Sequence, residues 1–239
     1  MIDIHFHCLP GIDDGPRNWD DAVALCRAAA ADGVDTIIAT PHVLRDPWLN
    51  EDASARDRLV DELNARLGGH PRILPGCEYF FSSDAVELWQ LGANGPLTGL
   101  NRTSHLLIEF PATQVPAAAE SVFHEFAVMG VTPVIAHPER NLVLAEQPAK
   151  LERLVGLGAV AQITAGSLLG NFGRAAQEAC EDFFRRGLVH FVASDAHSLH
   201  RRPPALIQAM DAVSTRWGRD AANALFAEDV LQCAGFSDS

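Results

Sequence analysis

Lysine is almost missing from this sequence: Lys150 stands alone, and 18 basic residues face 31 acidic ones. A formal net charge of −13 argues against nucleic acid as a partner, because phosphate backbones recruit basic surfaces. It also sets a problem for any phosphorylated substrate, which only local positive charge from metals or arginine would resolve. Long apolar runs are absent as well, none approaching the roughly 20 residues of a membrane helix. Residues 2–4 already read as strand, so nothing at the front resembles a secretory leader, and a cytoplasmic protein is the expectation. The five cysteines (Cys8, Cys26, Cys77, Cys180 and Cys233) are odd in number, widely spaced and without a C-x-x-C pair. That argues against a disulfide framework and against a thiolate zinc site.

What the chain does have is a regular alternation. Hydrophobic residues make up 48% of its 239 positions, enough for one large core, and a single β/α barrel fits that length. Seven short apolar or β-branched segments recur at 2–6, 36–40, 72–79, 105–110, 132–136, 159–164 and 190–194. Helical periodicity fills the intervals. Residues 20–32 repeat Val23, Cys26 and Ala30 before a stop at Gly33, and 51–67 turn Leu59, Val60, Leu63 and Leu67 inward before Gly68-Gly69. Stretches 116–129, 147–157 and 173–186 end on Gly130, Gly158 and Gly187, and 204–217 and 220–227 read as terminal helices. Strand–helix–strand at this spacing predicts parallel β-structure with right-handed crossovers. Seven units predict a distorted seven-stranded (β/α) barrel, and with no linker or repeat it forms one domain over 1–239.

Nine residues of ligand type fall at the ends of those segments: His5, His7, Asp14, His42, Glu78, Glu109, His137, Asp195 and His197. Delivering a polar side chain at the C-terminal tip of a strand is how β/α barrels build active sites. In His5-x-His7 the alternation of a strand puts both imidazoles on one face, suited to a single metal. Each residue has an ordinary alternative, as a cap or an ion pair, but jointly they are too costly to bury unless paired or metal-bound. Nine ligands suit two or three ions rather than one. Five imidazoles, four carboxylates and no thiolate favour Mn²⁺, Fe²⁺ or Zn²⁺ over Mg²⁺ or Ca²⁺. Three divalent ions would outweigh the four carboxylates and leave an anion-attracting centre in an acidic protein. Arg140, three residues past His137, and Arg202, in the loop after the last strand, are candidates for phosphate recognition by a planar fork of donors. His70, His105, His124, His190 and His200 lie away from strand tips and are read as structural or surface residues. Cys180 and Arg186 have the C-x5-R spacing of cysteine phosphatases. Bulky residues inside a helix separate them, though, where a phosphate cradle needs small ones.

The motifs HFHCLPGIDDG (5–15), ATPH (39–42), GCEY (76–79), IEFP (108–111), AHPER (136–140), TAGSLLGNFG (164–173) and SDAHSLHRRPP (194–204) run in order along nearly the whole chain. They resemble the bacterial PHP-type protein-tyrosine phosphatases of the CpsB/YwqE kind, from capsule and exopolysaccharide operons. H-x-H and D-x-H alone indicate only the wider PHP superfamily; HPER and G-S-L-x-G-x-F-G are more specific. The resemblance implies a trinuclear, usually Mn²⁺-dependent site. His5, His7, Glu78 and Asp195 would serve one ion, Glu78, Glu109 and His137 a second, and Asp14, His42 and His197 the third. Arg140 matches the family's catalytic arginine and Arg202 a second phosphate-side arginine. The implied substrate is the phosphotyrosine tail of a bacterial tyrosine autokinase, cleaved by direct attack of a hydroxide held between two metals. Three other functions fit parts of the pattern: a small-molecule phosphatase acting on histidinol phosphate or a nucleotide, an amidohydrolase-type hydrolase, and a metal-binding module without catalysis. The helical placement of Lys150 argues against a Lys-bridged amidohydrolase, and the complete ligand set against the inert module.

Overall fold

The computed structural model describes residues 1–226; Cys233 and the last position of the expected helix 220–227 lie outside the described residues. Every named strand pairing is parallel. One sheet runs β1 (Ile2–Phe6), β2 (Thr36–Ala39) and β4 (Arg72–Pro75). The other runs β3 (His42–Val43), β5 (Glu78–Phe80), β6 (His105–Glu109), β7 (Thr132–Ala136), β8 (Val160–Thr164) and β9 (Phe191–Ala193).

The expected strand 72–79 is therefore two strands, and a short β3 follows β2. Both breaks fall where the sequence disfavours a ladder: Thr40-Pro41, where proline lacks an N–H, and Gly76-Cys77. A Cβ on Gly76 would lie 2.8 Å from Ile38 Cγ2 and 3.2 Å from Ala39 O, so only glycine lets the two chains approach there. After their breaks both segments leave the first sheet for the second, so that seven strand segments follow one another along the chain. The hydrogen-bonded ladders do not close on themselves. Between β9 and β1 there is only the Phe6–Ala196 bridge, with His7 N donating to Ala196 O at 3.0 Å and Asp195 N to His5 O at 2.9 Å.

Helices follow the expected capping chemistry. In α1 (Trp19–Ala31) the Asn18 side chain accepts from Asp21 N, and in α2 (Ala53–Leu67) Asp52 accepts from Ala55 N before Gly68 ends the helix in the left-handed conformation. The other long helices are α4 (Ala119–Val128), α6 (Pro148–Gly156), α8 (Arg174–Arg185), α9 (Leu206–Trp217) and α10 (Arg219–Phe226). Short α3 (Ala85–Gln90), α5 (Leu142–Glu146) and α7 (Ala165–Leu168) have too few turns to show a period. Helix α8 buries Ala176, Ala179, Cys180 and Phe183, a three-to-four-residue stripe. Cys180 is thus core, and burial raises its thiol out of the nucleophilic range. No described helix is long and apolar enough to cross a membrane.

A smaller apolar cluster takes Ile2 and Ile4 from β1, then Ile38, Leu74, Leu107, Val134, Ala136 and Ala193 from the other strands. It forms the floor on which the polar side chains stand. Two residues beyond Leu107 comes Glu109, two beyond Ala193 comes Asp195, and four beyond Ile38 and Leu74 come His42 and Glu78. The period of two along β6 keeps Glu109 on the same inward face, while the other three lie past the breaks at Pro41 and Gly76 and past the end of β9.

Candidate metal centre

Four ligand positions need more than alternation. In β1, Ile2 and Ile4 belong to the floor, so strict alternation would turn His5 and His7 away from it; the register of β1 on β2 shifts between Asp3 and Phe6, where the face changes. His137 and Asp195 adopt φ of +34° and +52°, a left-handed backbone that non-glycine residues rarely take and that clusters at functional sites. In both, the strand is turned just past its tip so that the side chain folds back inward.

The nine residues converge. His5 Nε2 lies 3.2 Å from Asp195 Oδ1 and 3.4 Å from Glu78 Oε1, and His7 Nε2 lies 3.3 Å from Glu78 Oε2. His42 reaches Glu78 Oε2 through Nδ1 at 2.9 Å and Asp14 Oδ1 through Nε2 at 3.3 Å. His197 Nε2 is 3.2 Å from the same Asp14 oxygen, and His137 Nε2 is 2.9 Å from Glu78 Oε1. Four overlapping groups have donor atoms within 4.8 Å of one another: His7-Asp14-His42-His197, His5-His137-Asp195, His5-His7-Glu78 and His42-Glu78-Glu109. Their membership differs from the expected division, since His7 joins the Asp14 group and His137 sits with His5 and Asp195. None of these groups includes the five histidines set aside as structural.

Burial and mutual charge split the titration of these groups. Burial disfavours charge on His5 and His42, yet Asp195 and Glu78 lift His5 to about 9, and Glu78 with Asp14 lifts His42 to about 10. His137 is pushed down to about 4 by burial and then by Arg140, and His197 to about 4 by burial and then by His7. Glu109 rises to about 7 through burial and the neighbouring Glu78. Although burial opposes it, Asp195 is held well below the usual carboxylate range by His5, Arg202, His197 and Arg140.

The donor set fits divalent cations on two independent counts. Glu78 Oε2, Glu109 Oε2, Asp195 Oδ1 and His42 Nδ1 are buried with ion-pair contacts but no well-formed hydrogen bond, and such groups are costly unless something else completes their coordination. The outward nitrogens of several rings are already held. His7 Nδ1 meets Asp13 Oδ2 at 2.8 Å, His5 Nδ1 meets Gln162 Oε1 at 2.8 Å, and His197 Nδ1 meets Asp195 O at 2.9 Å. An outer partner of this kind fixes the tautomer and aims the free nitrogen at an ion.

Three guanidiniums edge the cluster. Arg140 Nη1 donates to Asp195 Oδ2 at 2.6 Å, Arg202 Nη2 donates to the same oxygen, and Arg45 Nε lies 2.7 Å from Glu109 Oε2. Arg140 makes no ion pair with the adjacent Glu139, which instead accepts from Thr164 N at 2.9 Å. Asp13, Gln162 and Arg45 are additions that the strand-tip pattern did not single out. The first Asp of the D-D-G run, the lone amide in an otherwise apolar strand, and the only basic residue of the 44–52 rim loop were the available signals.

Comparison with known proteins bears on this geometry. Residues 1–233 match the family model described as capsular polysaccharide synthesis, CpsB/CapC. The chain is similar to tyrosine-protein phosphatase YwqE of Bacillus subtilis, 43% identical over 205 residues that cover 84% of this chain and 79% of that relative. It is likewise similar to tyrosine-protein phosphatase CpsB of Streptococcus agalactiae, 30% identical over 236 residues covering 96% of each. A solved chain from work on YwqE of Bacillus subtilis and CpsB of Streptococcus pneumoniae, described as unique metal-dependent tyrosine phosphatases, matches with a TM-score of 0.91 and 38% identity. That match covers 100% of this chain and 96% of the other. A lactonase from Listeria monocytogenes, at a TM-score of 0.58 and 11% identity over 99% of this chain and 95% of its own, shares the fold alone.

Proposed function

The chain belongs to the CpsB/CapC family of capsular polysaccharide synthesis, and from that premise we propose that it is a metal-dependent phosphatase that removes phosphate from tyrosine on protein substrates. The observation that carries the proposal is the convergence of four carboxylates and five imidazoles, several lacking a well-formed hydrogen bond, beneath two arginines that share Asp195. We assign the fold to the PHP-type distorted barrel and the cluster to three ions, with Mn²⁺ first and Fe²⁺ or Zn²⁺ as substitutes. His7, Asp14, His42 and His197 would hold one ion, with Glu78 and Asp195 shared among the others. The substrate is assigned to the tyrosine-bearing tail of a bacterial autokinase.

When bound, the ions would supply Lewis-acid charge and lower the pKa of a bound water to about 7. The chain's own residues do the rest. Arg140 and Arg202 each present a fork of donors toward the cluster and bind phosphoryl oxygens as charge shifts to the leaving group. A guanidinium with pKa above about 12 is a poor acid, so Arg140 stabilises charge rather than donating a proton. A tyrosine phenolate, with pKa near ~10, leaves without much need for one. Asp13 and Gln162 keep the His7 and His5 rings from turning. No nucleophilic side chain is needed, and Cys180 is shut inside the core.

The deciding experiment assays metal-stripped protein, with and without added Mn²⁺, on a phosphotyrosine peptide and on histidinol phosphate in parallel. Mn²⁺-dependent turnover of the peptide with little on histidinol phosphate is expected. The reverse preference would move the function to small-molecule metabolism, and activity on neither would sink the phosphatase assignment.

A further inference from the structure

Phe172 is a large aromatic residue left 36% exposed beside a polar site, in a position that no metal-ligand or charge argument requires. The backbone is shaped to put it there. Gly170 and Gly173 flank it at φ of +86° and +89°, left-handed values that a side chain would strain. The turn is tied by Asn171 N to Gly166 O at 2.8 Å and Gly173 N to Gly170 O at 3.0 Å. Beneath the ring, a Cβ on Gly166 would stand 2.9 Å from Phe172 Cε2, so glycine there is what leaves the ring its seat.

The ring's neighbours are the two phosphate-side arginines. Arg140 Cζ lies 4.5 Å from the ring centroid and Arg202 Cζ 5.8 Å, both within the roughly 6 Å over which a guanidinium is attracted to an aromatic face. Arg140 comes from the segment after β7 and Arg202 from the loop after β9, two elements with no shared backbone. Besides Asp195, Phe172 is the group they have in common. Long arginine side chains lose much rotamer freedom on being fixed, so a shared apolar and quadrupolar surface lowers that penalty without adding a charge that would compete for phosphate.

We propose that Phe172 is a positioning residue: its ring holds Arg140 and Arg202 side by side, pre-organised to take one phosphoryl group between them. This rests on the phosphate-binding role given to the two arginines above. Phe172 itself touches no reacting atom. The device also accounts for an exposed phenylalanine beside two arginines, since a ring face satisfies cations where a carboxylate would repel the anionic substrate.

The test titrates inorganic phosphate, the reaction product, into manganese-loaded wild type and variants by calorimetry, with metal content measured in each. Phe172→Leu keeps an apolar side chain of similar bulk but removes the ring, and phosphate affinity should fall about tenfold with metal content unchanged. Phe172→Tyr keeps the face and should bind within about twofold of wild type. In an Arg140→Ala background the Phe172→Leu effect should shrink to less than about threefold, since one of its two partners is gone. Equal losses in the Leu and Tyr variants, or the same loss with and without Arg140, would mean that Phe172 merely fills space, and wild-type affinity in Phe172→Leu would end the proposal. Wild-type turnover of the phosphotyrosine peptide decides the functional assignment separately, because the phosphate titration needs no catalysis.

Discussion

Asp195 gathers more of the site's charge than any other residue, with His5 at 3.2 Å and the guanidiniums of Arg140 and Arg202 on its second oxygen. Its neighbours can be separated by what each does. Arg140→Ala should lower kcat about 10²-fold, the scale of losing one donor to transition-state charge, while metal content stays at the wild-type level; loss of metal in that variant would refute the role given to Arg140. Gln162→Ala and Asp13→Asn should do the opposite, weakening metal about 10- to 100-fold in competitive titration because the His5 and His7 rings lose their outer partners. Eight of the nine ligand-type residues were legible in the sequence because they stand at or just past a strand tip, where chemistry concentrates, and Asp14 lies eight residues beyond β1 in the D-D-G run. Gln162 was marked only as the lone amide of an apolar strand, a signal that does not reveal the His5 ring it meets across the sheet. His190 offers a test of pH away from the centre. Burial holds its ring below the ordinary range, and Nδ1 accepts from Ala161 N at 3.1 Å. A folded pKa depressed below the unfolded one contributes stability above the unfolded value that is lost as pH falls toward the folded value. His190→Asn removes that titration, so the wild type's lead in Tm should shrink from about pH 7 to about pH 5. A constant difference would contradict it.

The helices α1, α2 and α8 lie within a few residues of where capping and periodicity place them, because their signals are local. Strand continuity is not local. The apolar run 72–79 looks like one strand, yet it bends at Gly76 to leave β2 for β3's sheet, and what decides this is a close approach to Ile38 and Ala39, distant in sequence. Short α5 and α7 were equally hidden, being too brief to show a period, and they carry the connections beside Arg140 and Phe172. The bend makes a prediction at this scale. Gly76→Ala inserts a methyl 2.8 Å from Ile38 Cγ2 and 3.2 Å from Ala39 O, against a paired strand that cannot easily move. Overpacking of this kind costs about 1–3 kcal/mol, read as a lower urea midpoint with unchanged slope. Because Glu78 follows two residues later, at the start of β5, metal affinity should fall in the same variant. Unchanged stability would mean that the two strands yield where they are described as locked.

The molecule as a whole is acidic, with a net charge of −13, and it concentrates Glu78, Glu109 and Asp195 in its interior with Asp14 at their edge. Arg45, Arg140 and Arg202 supply only part of the counter-charge, since each reaches a single carboxylate. The raised pKa values of His5 and His42, at about 9 and about 10, express the same imbalance: the cluster attracts positive charge strongly enough to hold protons on buried rings. Cations that bind the folded chain and not the unfolded one stabilise it by mass action, about 4 kcal/mol per site at a thousandfold excess over Kd. For a chain of this size about 1 kcal/mol corresponds to roughly 2–4 °C in Tm. Chelation should therefore lower Tm by at least about 10 °C. Mn²⁺ should restore it, and Mg²⁺ should do so poorly because imidazole-rich sites do not suit it. Equal recovery with Mg²⁺ would show that the imidazoles do not ligate. No change on chelation would show that the arginines and protonated histidines alone neutralise the cluster, and the metal centre would have to be abandoned with it.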